Sequence, residues 1–151
     1  MRSLWDLVSS ATTSRVFWGC LVVAAAAAPL LAAQGRIEAL VLYAAFSPFC
    51  HQYDDRSWHL LGEPLAVCIR CLGVYFGAAL GGIFLSGAAS ARHLLVALAF
   101  CGGTWLLEVI GTLAIPAAVR LAAGGVLGFA GMQFAARALA GREHTRAGLL
   151  R

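Results

Sequence analysis

Four stretches of this chain are apolar over about the length a bilayer demands: Val16–Ala33, Leu65 to about Gly87, Leu94–Pro116 and Ala117–Ala140. A helix of about 20 such residues spans the hydrocarbon core. Composition points the same way, with 61% hydrophobic residues, 12% charged residues and a mean hydropathy of +0.83, far from the average of soluble domains. In a chain of 151 residues, four spans leave almost nothing for an extramembrane domain. The expected fold is all-α: a polytopic membrane protein of four transmembrane helices in a single domain.

Ile37–Phe49 is apolar but too short to cross, and it runs into Ser47-Pro48, which stops a helix. It reads as a short interfacial or re-entrant helix before the one sizeable polar loop, residues 50–64, which carries Asp54, Asp55, Arg56, His59 and Glu63. Val16–Ala33 also fits a cleaved signal peptide, with Arg15 before it and Ala32-Ala33 at its end. The length of the apolar run favours a retained span.

All 11 basic residues are arginine, and with seven acids the formal net charge is +4. Spread over so apolar a chain, that excess reads as membrane topology and not as a nucleic-acid surface. No nucleic-acid partner is expected. Arg2, Arg15, Arg92, Arg137, Arg142, Arg146 and Arg151 fall on one side of the four spans, and Arg36 and Arg56 on the other. The positive-inside rule then places both termini in the cytoplasm and loop 50–64 on the outer face, in the periplasm or the extracellular space. Counting 37–49 as a full span would invert the downstream half. Arg142–Arg151 reads as a topological anchor, and His93 and His144, beside arginines, do not read as ligands.

Within the spans, Gly73, Gly77 and Gly81 recur every four residues, as do Gly124 and Gly128. Such stripes let helix backbones approach closely in lipid. They predict tight packing and no chemistry.

Chemistry gathers around the polar loop. Cys50 stands at its start, and Cys68 and Cys71 form a C-x-x-C at the head of the second span, where residues three apart share a helix face. With His51, or alternatively His59, these cysteines make a Cys3His set suited to zinc. The same spacing suits a redox or structural disulfide. No histidine follows Cys71, so covalent haem is not expected. Cys20 and Cys101, among Leu, Ala and Gly, read as buried packing residues.

Three ionisable residues lie inside the spans: Arg70, Glu108 and Arg120. Charges there are costly and normally paired. Glu108 with Arg120 or Arg70 is the expected ion pair, read either as a clasp between helices or as part of an outward-facing pocket walled by Trp105 and Tyr75.

Taken together, Phe49-Cys50-His51-Gln52, Arg56-Ser57 and Cys68-Ile69-Arg70-Cys71-Leu72-Gly73-Val74-Tyr75-Phe76-Gly77 resemble the signature of a bacterial and archaeal family of small integral-membrane proteins of unknown function. The resemblance covers roughly residues 40–130, with Glu108, Arg120, Gly124 and Gly128 matching features of its third and fourth helices. It implies that the Cys/His/Arg set acts as a unit, with Gln52, Arg56 and Tyr75 in support and metal binding as the expected property. It implies the inner membrane of a prokaryote as the location and names no substrate.

Three functions fit. The first is a binding or structural protein with a zinc-type site at the outer face, as an accessory subunit of a larger membrane complex or as a homo-oligomer. The second is a quinone-linked thiol–disulfide oxidoreductase of the four-helix type, weakened because Cys50 has no second outer cysteine to pair with. The third is a proton, anion or lipid carrier using Glu108 and Arg120. The chain shows no nucleotide loop, serine-type triad or paired catalytic carboxylates, and no catalytic residue is assigned.

Overall fold

The computed structural model describes residues 11–84 and 89–149, and side chains within 16–84 and 89–138. The end of the second expected span at Gly87 lies outside these limits, as do Arg2 and Arg151 and the side chains of Arg15, Arg142, His144 and Arg146. Among the described residues the elements are α1 (Ala11–Ala32), α2 (Glu38–Phe46), a 3-10 turn (Asp54–Arg56), β1 (His59–Leu60), β2 (Glu63–Pro64), α3 (Ile69–Ile83), α4 (Ala91–Val109) and α5 (Ala117–Leu149). Two helices are long and apolar enough to cross a membrane, α4 and the Ala117–Ala138 part of α5. The apolar parts of α1 (Val16–Ala32) and α3 are shorter.

Helices pack side by side in the order α2, α1, α3, α5, α4, so α4 rests chiefly on α5. The α3–α5 contact is the closest, and glycine makes it so. A methyl group added at Gly73 or Gly77 would sit under 3.0 Å from the backbone carbonyl of Leu121 or Gly125, and one at Gly124 or Gly128 would strike the carbonyls of Arg70 or Val74. The two stripes interlock backbone to backbone.

Between α2 and α3 the chain is irregular but fully engaged. α2 stops at Phe46; Ser47 still keeps helical angles (φ −54°, ψ −39°) and donates to the Tyr43 carbonyl, and Pro48 then has no N–H with which to carry the helix on. A two-residue turn with Leu61 and Gly62 at positive φ (56° and 87°) joins β1 to β2 in register His59↔Pro64, Leu60↔Glu63. Residues 65–67 stay outside the helix, with a bend at Ala66 and Val67, so α3 begins four residues later than the hydropathy predicts. Ala66 and Val67 are fully buried at 0% exposure. Pro29, inside α1, has no N–H to give the carbonyl of Ala25, and the Ala66 amide donates to that carbonyl at 3.4 Å. Leu65 N–H donates to the Trp58 carbonyl at 2.8 Å. Buried backbone outside regular structure is tolerated when protein groups satisfy it in this way.

At their far ends, α3 and α5 are joined by Gln133, 2% exposed, whose amide donates to the carbonyls of Gly81 (3.2 Å) and Phe84. These carbonyls close α3, where no further turn can use them. α4 begins with a capping box in which Ser90 and His93 bond reciprocally. It ends at Val109, seven residues before the expected limit, with Gly111 at φ 70° beyond it. α5 instead continues past the expected Ala140 to Leu149, since no proline interrupts that arginine-bearing stretch. Cys101 is buried as expected, whereas Cys20 is exposed on α1, because the face that α1 turns to α3 and the loop is made by Ala25, Ala28 and their neighbours.

The interlock predicts unequal responses among glycines. Gly124→Val should destabilise the detergent-solubilised protein by about 3 kcal/mol or more, because a backbone carbonyl cannot yield as a side chain would. Gly103→Ala, where the new methyl meets open space, should be neutral or stabilise by up to about 1 kcal/mol. Thermal unfolding of the two variants checks this.

Candidate functional site

Cys50 follows α2 directly, its amide bonded to the Phe46 carbonyl at 3.0 Å. Cys68 is the residue from which α3 starts, and Cys71 lies one turn further on. The sulfurs of Cys50, Cys68 and Cys71 all lie within 4.8 Å of one another. Cys50 is buried and the other two are half-buried. The amide of Cys68 donates to the Cys50 sulfur at 3.1 Å. Thiol hydrogens from Cys68 and Cys71, then the backbone amides of Cys68 and Gln52, hold the Cys50 thiol well below its ordinary pKa, against the opposing effect of burial.

The loop is pinned by side chains that sequence reasoning could name but not explain. Gln52 adopts φ 52°, and its amide donates to the carbonyls of Tyr43 (2.7 Å) and Ala66 (2.9 Å), joining the end of α2 to the segment leading into α3. Tyr43 hydroxyl donates to the Pro64 carbonyl. Ser57 hydroxyl donates to the Tyr53 carbonyl at 2.9 Å, and the Arg56 guanidinium lies 5.5 Å from the Tyr53 ring centre. These contacts bring Cys50 to α3 across the 18 positions that separate it from Cys68.

Neither histidine joins the sulfur cluster. His51 stacks on Tyr53 with ring centres 5.7 Å apart, and its ring lines the same cavity as the sulfurs. His59 sits on β1 with Nε2 2.9 Å from Asp54 Oδ1. Tyr75 turns from the expected pocket to pack on Trp18 and Phe46, at 5.9 and 6.0 Å between centres. Trp105 does line it.

Beside the sulfurs, Glu108 receives both arginines. Arg70 Nη2 lies 3.2 Å from Glu108 Oε2, and Arg120 Nη2 contacts Glu108 Oε1. The side chains are 13%, 17% and 7% exposed for Arg70, Arg120 and Glu108. Glu108 is the penultimate residue of α4 and both arginines lie in the first turns of α3 and α5. Each charge is therefore disfavoured by its own helix dipole and favoured by the ends of its partners' helices. Arg70, Arg120, Arg56, Trp105 and the three cysteines line one cavity of about 160 Å³.

Glu108→Ala should cost about 3–5 kcal/mol, because it strands two largely buried guanidinium groups. Glu108→Gln should cost less, since it keeps an acceptor. Equilibrium unfolding in detergent measures both, and unchanged stability in Glu108→Ala would show that the ion triad does not hold α4.

Comparisons with known proteins meet at this site. The model of a family described as "Predicted membrane protein (DUF2085)" matches residues 50–134, a range that opens on Cys50 and takes in the other two clustered cysteines, Arg70, Glu108 and Arg120. The uncharacterized protein MJ1492 of Methanocaldococcus jannaschii is 44% identical over 46 residues. That match spans about 30% of this chain and about 30% of the relative's length. No solved structure matches. The family model covers more than half of the chain, and the chain belongs to this family of predicted membrane proteins, DUF2085.

Proposed function

We propose that Cys50, Cys68 and Cys71 bind one zinc-type ion at the outer face of a four-span bundle, and that the protein is a binding or structural subunit built around that ion. The observation that carries this reading is the convergence of three sulfurs within 4.8 Å. A Zn–S bond of about 2.3 Å in tetrahedral geometry separates sulfurs by about 3.8 Å, so a small contraction closes the trio on one ion. A disulfide uses two sulfurs and gives the third no role. Cys20 and Cys101 lie on α1 and α4 outside the cluster, so a second outer pair for a thiol relay is lacking among the described residues. His51 is the better placed of the two candidate fourth ligands, because it already lines the cavity while His59 is engaged by Asp54. When bound, the ion supplies charge and a fixed geometry, and the chain's own groups position the sulfurs.

Four spans remain the reading that best uses the helices. α1 has 22 residues and at 1.5 Å each reaches about 33 Å. α3 alone reaches only about 22 Å, and the buried non-helical residues 65–67 lead into it. The arginine pattern supports cytoplasmic termini and an outer loop.

Elemental analysis of purified protein should give about one zinc per chain, and Cys68→Ser should lose nearly all of it. Bound metal should fall as the pH is lowered, since protons compete for the thiolates. Metal-free protein with two of these cysteines oxidised would overturn the reading in favour of redox chemistry. Topology has its own test: a cysteine placed at Leu61, 73% exposed at the hairpin tip, should react in intact cells with a membrane-impermeant maleimide. Labelling only after lysis would reverse the orientation.

A further inference from the structure

We propose that the cavity beside the sulfur cluster binds a small oxyanion, a carboxylate or phosphate group, held by Arg70 and Arg120 with Arg56 at the more exposed side. Three observations converge on it. First, two largely buried arginines, 13% and 17% exposed, share a single carboxylate, so the triad carries one positive charge more than it neutralises. An unbalanced charge in so little water is costly, and a bound anion removes the imbalance. Second, Nε of Arg70 and Nε of Arg120 are buried without a hydrogen-bond partner. A guanidinium offers five donors in a planar fork, and the contacts to Glu108 leave most of them unused. Third, all three arginines line the same cavity of about 160 Å³, room for several water molecules and hence for an oxyanion. Arg56 has one carboxylate within reach, Asp55 at 3.7 Å, and that side chain is 77% exposed and screened by solvent.

The charge excess does not depend on the metal. With all three cysteines as thiols, Arg70, Arg120 and Arg56 face Glu108 and the exposed Asp55. With three thiolates on a divalent ion, the sulfur centre and Glu108 balance Arg70 and Arg120, and Arg56, whose partner Asp55 is screened by solvent, supplies the remaining positive charge. Bidentate guanidinium contacts favour planar carboxylates and tetrahedral phosphates over a spherical ion such as chloride. The same chemistry is found in a free phosphate and in the head group of an anionic lipid, and Trp105 and Tyr53 on the cavity wall suit either.

The test uses the full chain in a neutral detergent, with the thermal midpoint as readout. One arm titrates sodium phosphate against sodium chloride at equal ionic strength. A second titrates dihexanoyl-phosphatidylglycerol against dihexanoyl-phosphatidylcholine. A saturable rise with phosphate assigns a free anion, and a rise confined to phosphatidylglycerol assigns a lipid head group. Arg70→Gln should weaken the response at least about tenfold, the loss expected for a charge-assisted hydrogen bond. Arg56→Gln, which gives up the screened pair with Asp55 and the contact with the Tyr53 ring but strands no buried charge, should keep the fold and weaken the response several-fold, so the test holds even if Arg70→Gln does not fold. The wild-type chain should keep the response after its metal is removed with a chelator, which separates failure of the metal site from failure of this one. The proposal is overturned if phosphate acts no better than chloride and the two lipids act alike, or if the arginine variants respond with the wild-type midpoint.

Discussion

Pro29 leaves the Ala25 carbonyl without a partner inside α1, and much of the site follows from how that gap is filled. The Ala66 amide takes the carbonyl, which ties residues 65–67 to α1 outside any helix. α3 then starts at Ile69, with Cys68 immediately ahead of it and its amide aimed at the Cys50 sulfur. Had the helix begun at Leu65, the Cys68 amide would have been spent on the carbonyl four residues back. Gln52 completes the arrangement by bonding the carbonyl of Ala66, so the same residue is tied from both sides. A helical defect and a strained loop residue thus serve one end, the gathering of three sulfurs.

The glycine interlock provides the second reference point. Gly124 meets the carbonyl of Arg70, and Arg120 lies one turn before Gly124 on α5. Backbone contact therefore sets how far apart the two guanidinium groups begin, and Glu108 joins them from α4. Side-chain flexibility contributes little to that spacing. Sulfur cluster, ion triad and cavity are three consequences of two backbone constraints, one at Ala25 and one at Gly124.

Much of this was legible in the sequence because the signals were periodic or costly. Hydropathy marked α4 and α5, the four-residue glycine spacing marked the α3–α5 contact, and the expense of charge among apolar residues marked Arg70, Glu108 and Arg120 as partners. The C-x-x-C beside Cys50 marked the sulfur cluster. What escaped depended on tertiary context. Leu61 at positive φ is a poor choice for a tight turn, so no residue type announced the hairpin. Gln133 sits in an otherwise apolar run, and its role exists only because α3 ends opposite it. Gln52 belonged to the motif, but its two carbonyl partners are 9 and 14 residues away. The late start of α3 could have been suspected from Pro29, whose orphaned carbonyl implies a donor from elsewhere.

The attachment of α4 is lopsided. Its C-terminal end is fastened by Glu108, while around its N-terminal half a cavity of about 890 Å³ separates it from α3 and α5, lined by Phe76, Leu80, Val96, Ala97 and Phe129 among others. A helix surrounded by lipid keeps its internal hydrogen bonds when it leaves its neighbours, so parting costs only packing and whatever polar contact is broken. Mechanically α4 resembles a beam clamped by a salt bridge near one end and held along the rest of its length by apolar packing. The clamp lies beside the residues that border the sulfur site, so a change in charge there bears on how firmly the whole arm is held.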